Sequence, residues 1–277
     1  MYQRMKILHV WNTAGVGSII AKFMDKIFGT ESWLVHRRDF DQYGLTTYGE
    51  LWGSGARGFA LRSLIEARKY DIIHVHSFDR IVPLLKLIYP RKPVVLHYHG
   101  NDIRDQWSIK RRYWDKADLV IYSTQDLLDS ETPESAFYIP NPVDLDLFTH
   151  RPGEHACGTA THFSYRADDL AVEYAKKYGL KLDIYDVNKH GRMHYVDVPK
   201  FLKRFEFYID VKRNPEGDLW KIPLSKTALE ALACGLKVID WEGMLIDVLP
   251  LENYPENVVK FIFEKYVHLL ARVREKK

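Results

Sequence analysis

Residues 223–243 read PLSKTALEALACGLKVIDWEG, a pattern that predicts a short helix followed by a buried strand. Ser225 stands where a helix N-cap is favoured, and Gly235 stands where a helix commonly ends. The largely apolar run after the glycine is typical of a strand in a parallel sheet that is covered on both faces. A capped helix leading into such a strand indicates an α/β fold.

The same alternation of strands and helices extends along the chain. Strand-length apolar runs are MKILHVW, SWLVHR, DIIHVHS, PVVLHYHG, ADLVIYS and AFYIP, and then KLDIYDV, FEFYIDV and LKVIDWEG. Between the two groups, the stretch PNPVDLDLFTHRPGEH has no period and is typical of a connection. We therefore expect two Rossmann-like, doubly wound parallel-sheet domains over residues 1–147 and 148–255, and a packing helix over residues 256–277.

Composition argues against several classes of protein. The 277 residues are 46% hydrophobic and 28% charged, as in a folded globular protein. A formal net charge of +3 is small for a nucleic-acid binder, so we expect no nucleic-acid partner. The sequence shows no leader pattern and no segment that could span a bilayer, which predicts a cytoplasmic protein. Two distant cysteines, Cys157 and Cys234, indicate neither a disulfide framework nor a metal site.

The turn after the first strand, NTAGVGSIIAKFM, is the first candidate site. Gly15 and Gly17 allow close backbone approach, and a helix beginning near Ser18 offers N–H groups to an anion or a sugar oxygen. An ordinary tight strand-to-helix turn would explain the same residues. Ile20 stands where the dinucleotide fingerprint G-x-G-x-x-G needs its third glycine, so that motif is not present here.

Two strands of the first domain end in histidines, namely His74 and His76, and His97 and His99. Each pair shares one face of its strand because side chains alternate. No cysteine or carboxylate converges with them in the sequence, so we expect hydrogen-bonded core residues and no metal. His99 stands at the strand tip, where Asp102 is expected to hold its ring, and a catalytic role is favoured there over a structural one.

The opening stretch is the third candidate site. Ser225, Lys226 and Thr227 form the helix N-terminus, where N–H groups, the helix dipole and a lysine suit a phosphate. Glu230 follows one turn later, and its carboxylate can accept hydrogen bonds from vicinal hydroxyls. The predicted ligand is a phosphate joined to a ribose. The alternative is a well-capped core helix with a solvent-facing glutamate.

Taken in order, the motifs AGVGS, DIIHVHS, PVVLHYHGND, ADLVIYST, IPNPVDLDLF and ALEALACGLKVI resemble the retaining GT-B glycosyltransferases of glycosyltransferase family 4. The resemblance implies two domains that face each other across a cleft. It implies transfer of a hexosyl group from a nucleotide-diphosphate sugar to an acceptor hydroxyl, with retention, in glycan or glycolipid assembly. It also implies a carbohydrate or lipid-linked acceptor, and no obligatory cofactor or metal.

The resemblance assigns roles to individual residues. Glu230 would bind the ribose, and residues 225–227 would face the diphosphate. The turn over residues 15–18 would lie against the donor's sugar and phosphate, and His99 would reach the transferred sugar. Arg166, in THFSYRADD, matches the arginine that clamps the diphosphate.

The chain departs from the family pattern at a second glutamate, which usually stands eight residues before the ribose glutamate. Ile222 stands there instead. In RNPEGDLWKIPLSK, Glu216 is the displaced residue if the loop is lengthened by six residues, Asp218 is an alternative, or the contact is lost. The lysine that normally accompanies the clamping arginine is also missing at its usual spacing. Three residues are candidates to replace it: Lys212, Arg213 and Lys226.

Two further questions stay open at the level of sequence. A non-catalytic GT-B subunit that binds nucleotide or carbohydrate is the alternative function, because the missing glutamate is what a degenerate enzyme would show. The segment NDIRDQWSIKRRYWDKAD mixes basic and aromatic residues. It suits anionic sugars or peripheral contact with the inner face of a membrane, or it is simply a solvated amphipathic helix.

Overall fold

The computed structural model of the protein describes residues 4–150, 153, 155–214, 216–222 and 224–275. The chain divides into two compact units. The first unit extends to Pro142 and resumes at Pro255, and the second unit runs over Val143–Tyr254. The first division falls within the proline-containing stretch that the sequence marks as a connection. Both units are α/β, as predicted, and each is built on a largely parallel sheet.

In the described residues of the first unit, seven strands form one parallel sheet in the order β3-β2-β1-β4-β5-β6-β7. The strands are β1 Lys6–Val10, β2 Glu31–Arg37, β3 Glu50–Trp52, β4 Ile72–His76, β5 Val94–Tyr98, β6 Leu119–Tyr122 and β7 Ala136–Tyr138. The helices are α1 Val16–Phe28, α2 Ala56–Ala67, α3 Val82–Ile88, α4 Trp107–Trp114 and the C-terminal helix α9 Pro255–Glu275. The strand order reverses between β1 and β4, where Rossmann-like sheets commonly bind ligands.

Both faces of this sheet are buried, which explains the continuous apolar runs in its strands. On one face, Leu8, Val75 and Leu96 share a core with Phe59 of α2 and Trp107 of α4. On the other face, an apolar core is shared with α1 and α9; its strand residues are Ile7, Ile72, Val95 and Ile121. The side chains of each strand are thereby divided between two cores.

Helix α9 follows the second unit in sequence but packs on the first. Its buried stripe is Val258, Val259, Ile262, Tyr266 and Leu269. These residues join the core that contains α1, and the rings of Phe28 and Phe263 stack with centroids 4.1 Å apart. No helix in the described ranges is both long enough and apolar enough to cross a membrane.

In the described part of the second unit, five strands form a sheet in the order β12-β11-β10-β8-β9. The strands are β8 Ala156–Phe163, β9 Lys181–Tyr185, β10 Phe205–Ile209, β11 Lys237–Ile239 and β12 Leu245–Ile246. The helices are α5 Asp168–Lys177, α6 Val187–His190, α7 Val198–Leu202 and α8 Lys226–Ala233. Only β12 runs antiparallel to its neighbour. The apolar runs in the sequence did not predict β3, β8 or β12. β3 and β12, at three and two residues, are too short to show a period, and β8, ACGTATHF, is not a continuous apolar run.

Candidate functional site

The glycine turn lies at the carboxyl end of β1 and leads directly into α1, which begins at Val16 rather than near Ser18. A Cβ atom on Gly17 would lie 2.8 Å from the Leu34 side chain, so the close packing of α1 on the sheet requires glycine there. Ser18 is buried, and its Oγ donates to the Tyr48 carbonyl over 3.0 Å. The packing of this turn therefore accounts for Gly17 and Ser18, and their contact with a donor stays a prediction.

Strained backbone surrounds this turn. Trp11 and Ala14, after β1, and Ser77, after β4, all have positive φ angles although none is glycine. The Thr13 hydroxyl donates to Ser77 Oγ over 2.6 Å and so links the two loops. Left-handed non-glycine residues cost free energy and concentrate at functional sites, so this carboxyl edge is the candidate ligand edge of the first sheet.

Side chains from β1, β4 and β5 form a buried histidine cluster next to this edge. Its members are His9, His74, His76, His97 and His99. His9 Nδ1 lies 3.1 Å from His76 Nε2, and His76 Nδ1 lies 3.0 Å from His99 Nε2. The sequence analysis grouped two pairs and missed His9. His9 could have been predicted from its position in the strand run MKILHVW, and the structure places it in register with His74.

The surroundings of His99 differ from the expectation. Asp102 does not hold the ring but accepts the backbone N–H of His99 at 3.0 Å and that of Gly100 at 2.6 Å. The ring is held by His76 and by Ser123, whose Oγ lies 3.0 Å from His99 Nδ1. The carboxylate caps the turn after β5 because two backbone N–H groups point into it. Only 8% of His99 is exposed.

Burial keeps the histidine cluster neutral at pH 7. Burial lowers the pKa of His9 from 6.5 to about 3. It lowers the pKa of His99 to about 4, although the charge of Asp102 acts in the opposite direction. Burial and the neighbouring histidines hold the pKa values of His74, His76 and His97 well below 6.5. The cluster can therefore offer lone pairs or N–H groups, but not positive charge, at neutral pH.

In the second unit, α8 begins as the sequence predicts. Ser225 is its N-cap, and Ser225 Oγ accepts the Ala228 N–H over 3.3 Å. Helix α8 ends before Gly235, where φ is +87° and a Cβ atom would meet the His150 ring at 1.8 Å. Asp210, directly after β10, also lies at this N-terminus. Its carboxylate accepts the Ser225 N–H at 2.8 Å and the Ser225 hydroxyl at 2.6 Å.

Glu230 is buried, with 4% of its surface exposed, so the alternative of a solvent-facing glutamate is wrong. Its Oε1 accepts the Tyr195 hydroxyl over 2.6 Å and contacts Lys226 Nζ. Lys226 Nζ also donates to the Tyr195 hydroxyl over 2.8 Å. Burial and the charge of Glu230 raise the pKa of Tyr195 well above 10, so this hydroxyl stays protonated. Lys226 thus turns toward Glu230 rather than toward the helix N-terminus.

Most of the residues that match a known protein family lie in the first unit. Residues 19–147 match the family described as Glycosyltransferase Family 4. This match covers 129 of the 277 residues. The match supports the resemblance of the sequence motifs to the GT-B glycosyltransferases, and glycosyl transfer in general.

Solved structures share the fold of this chain over nearly its whole length. AviGT4, a glycosyltransferase involved in avilamycin A biosynthesis, is 14% identical, with 96% of this chain and 98% of that chain covered and a TM-score of 0.60. The UDP-GlcNAc 2-epimerase from Methanocaldococcus jannaschii is 11% identical, with 94% and 100% covered and a TM-score of 0.51. No curated protein matches the sequence. At these identities, the likeness shows the GT-B fold and nothing finer.

The remaining predicted donor residues lie at the carboxyl edge of the second sheet. Arg166 follows β8, is exposed, and has a φ of 58°. Its guanidinium lies 5.7 Å from the ring centroid of Tyr165, which stacks on Trp220 with centroids 5.5 Å apart. Lys212 Nζ lies 5.9 Å from the same Tyr165 ring. This group places Arg166 and one of the candidate lysines around one aromatic side chain.

The loop that carries Glu216 projects from the same edge. Glu216 is exposed in a turn. Asp218 is committed to that turn, since its N–H donates to Asn214 Oδ1 over 2.7 Å and its carboxylate accepts the Asn214 side-chain amide at 3.3 Å. Arg213 pairs with Asp169 over 3.0 Å. Of the two candidate carboxylates, Glu216 is therefore the one that the turn does not use for its own hydrogen bonds.

The basic and aromatic segment of the first unit is partly structural. Trp107 is 1% exposed, and its indole N–H donates to the Leu127 carbonyl over 2.8 Å. Lys110 pairs with Asp79 over 2.9 Å, and Arg104 contacts Asp126. These contacts fix α4 on the sheet. Arg111 and Arg112 remain exposed for other contacts.

Proposed function

We propose that this protein is a glycosyltransferase that moves a hexosyl group from a nucleotide-diphosphate sugar to an acceptor hydroxyl with retention of configuration. The observation that carries the proposal is the buried Glu230 on α8, held in one orientation by Tyr195 and Lys226. A buried carboxylate is costly to retain unless it has a partner or a task. A ribose diol is a partner that suits it, since a carboxylate accepts two hydrogen bonds from neighbouring hydroxyls.

The diphosphate is assigned to the N-terminus of α8. Asp210 occupies the N–H and hydroxyl of Ser225, so the backbone amides of Lys226 and Thr227 are the ones offered to phosphate. The ammonium group of Lys226, the first residue of α8, is the first proposed cation. Its positive charge neutralises Glu230 in the free protein. In the proposal, it stabilises the negative charge of the departing phosphate during transfer. Arg166 is the second proposed cation.

Two residues are assigned to the transferred sugar. Glu216 is the proposed contact for its hydroxyls, and His99 at the tip of β5 is proposed to reach the transferred sugar from the first unit. For retention, the departing phosphate is proposed as the base that takes the proton of the acceptor hydroxyl. Positioning and charge stabilisation then supply the catalysis without a metal or cofactor.

The acceptor is proposed to be a carbohydrate or a lipid-linked glycan, used in the cytoplasm or at the inner face of a membrane. The exposed Arg111 and Arg112 on α4 support contact with an anionic acceptor or headgroup. A non-catalytic GT-B subunit is the alternative. It is favoured by Ile222, which stands where the family carries a glutamate.

Calorimetric titration of UDP, GDP and ADP and their sugars in the presence of EDTA tests the proposal. We expect micromolar binding of one base over the others, because the ribose and diphosphate contacts are common to all three and the base alone discriminates. Incubation with the bound nucleotide sugar should then release nucleotide, at least by slow hydrolysis. Binding without any release would favour the non-catalytic subunit, and no binding to any member of the panel would refute the proposal.

Replacement of Glu216 by Gln tests the displaced carboxylate. We expect kcat to fall roughly 10- to 100-fold with nucleotide affinity unchanged, because a contact with the sugar matters most in the transition state. Asp218→Asn is the matched control in the same turn and should retain most of the activity. Equal activity of the Glu216→Gln variant and the parent protein would show that Glu216 makes no catalytic contact and that the loop has a structural role.

A further inference from the structure

Three histidines at the carboxyl ends of β4 and β5 have the arrangement of a metal site. One ring nitrogen from each of His76, His97 and His99 lies within 4.8 Å of one from each of the others. His76 Nδ1 and His99 Nε2 are 3.0 Å apart. Two ligands of a tetrahedral zinc ion with bonds of 2.0–2.1 Å lie about 3.3 Å apart. The separation of the His76 and His99 nitrogens is therefore close to that of two zinc ligands.

The other nitrogen of each ring is held by the protein. Ser123 Oγ lies 2.7 Å from His97 Nε2 and 3.0 Å from His99 Nδ1. His9 Nδ1 lies 3.1 Å from His76 Nε2. Metal-binding histidines almost always have their second nitrogen fixed in this way, because the hydrogen bond sets the tautomer and the ring orientation. One serine thus orients two of the three rings.

His97 provides an independent observation. Its side chain is fully buried, and its Nδ1 has no hydrogen-bond partner among the described residues. A buried polar nitrogen without a partner costs free energy and calls for an explanation. Since Ser123 takes His97 Nε2, the orphaned Nδ1 is the nitrogen left to join those of His76 and His99.

We propose that His76, His97 and His99 bind one divalent transition-metal ion of the zinc class. Three imidazoles without a carboxylate or thiolate suit Zn²⁺, Cu²⁺ or Ni²⁺, whereas Mg²⁺ and Ca²⁺ require oxygen ligands. Asp102, which caps the backbone of His99 and Gly100, supplies negative charge beside the site. The ion joins the ends of β4 and β5 and fixes the ring of His99.

His76 also belongs to a second group, with His9 and His74. That inner group is completely buried, and His74 Nδ1 is already 2.5 Å from the Tyr266 hydroxyl. The outer group includes His99 at the strand tip, which is 8% exposed and so lies nearer to solvent than the inner group. Because His76 is shared, the two groups are not filled together, and the outer group is the proposed site.

The test uses the full chain, stripped with EDTA and titrated with Zn²⁺ against a chromophoric chelator. We expect one tightly bound ion per chain, confirmed by elemental analysis after gel filtration. Ser123→Ala should weaken binding 10- to 100-fold because both rings lose their orienting partner. His97→Asn should abolish tight binding. His268→Asn, which removes an exposed histidine from α9 of the same unit, should bind as the parent protein does.

Substitution with Co²⁺ keeps the test decisive if His97→Asn fails to fold. The parent protein should then show the intense visible absorption of a four-coordinate cobalt site, and Ser123→Ala should show it only at higher cobalt concentration. Less than one ion per chain in the parent protein, weak six-coordinate cobalt absorption, or undiminished binding by a folded His97→Asn variant would each overturn the proposal. None of these readouts depends on glycosyl transfer.

Discussion

Lowering the pH from 7 to 5 is expected to unfold the first unit of the metal-free protein. The buried histidines His9, His74, His76, His97 and His99 have pKa values below 6.5 in the folded state because burial disfavours their charged form. In the unfolded chain they titrate near 6.5. The unfolded state therefore binds more protons below this pH, and stability is lost as the pH falls.

The size of the effect follows from the same linkage. Stability from these groups is fully present above pH 6.5, and each pH unit below it costs about 1.4 kcal/mol for each histidine that stays neutral. At pH 5 the loss is about 2 kcal/mol for each histidine that stays neutral, so the cluster as a whole loses several kcal/mol. Domains are typically stable by only 5–15 kcal/mol in total. The loss is therefore comparable to the whole stability of the unit.

Tryptophan fluorescence in EDTA-containing buffers from pH 7.5 to 4.5 measures this transition. Most of the seven tryptophans lie in the first unit: Trp11, Trp33, Trp52, Trp107 and Trp114. His9→Asn should make the pH dependence shallower by about one proton, and the exposed His268→Asn should leave it unchanged. A first unit that retains its stability at pH 5 would show that the cluster takes up protons without unfolding.

Replacing Glu230 by Ala is expected to have two separate effects. Nucleotide affinity should fall roughly 10- to 100-fold, because hydrogen bonds to a charged carboxylate contribute about 1.5–3 kcal/mol. The second unit should also lose about 3 kcal/mol of stability, since Lys226 is left buried without its carboxylate. Tyr195 loses the acceptor of its hydroxyl at the same time.

The double variant Glu230→Ala/Lys226→Met separates these effects. Removing both charges should restore much of the stability, measured by urea unfolding, while the nucleotide affinity measured by calorimetry stays low. Unchanged nucleotide binding in a folded Glu230→Ala variant would remove the ribose assignment. In that case, the contact with Lys226 and Tyr195 would be the whole role of Glu230.

The elements of the fold were largely predictable because their signals are local. Ser225 caps the N-terminus of α8 by accepting the Ala228 N–H, and Gly235, with a φ of +87°, follows its C-terminus. The apolar stripe on α9 repeats at helical spacing. The edge strands β3 and β12 were not predictable, because their hydrogen bonds come from neighbours that the sequence does not place beside them.

The site was only partly predictable. Glu230 was found by its position on α8, but its burial against Tyr195, 35 residues earlier in the chain, was not. Asp210 caps Ser225 from 15 residues away, and the sequence analysis did not single it out. The role of Asp102 was wrongly assigned to the ring of His99, because the sequence does not show that two backbone N–H groups of the turn are closer to its carboxylate.

The sequence by itself determined the alternating α/β pattern, the capped helix α8 and the family resemblance, since periodicity and capping depend on residues close together in the chain. Only the tertiary structure decided that His9 meets His76 across 67 residues, that Ser123 holds both His97 and His99, and that Lys226 turns to Glu230. These contacts depend on strand order and on the competition among hydrogen-bond partners inside a packed core. Neither can be predicted from residues that are close together in the chain.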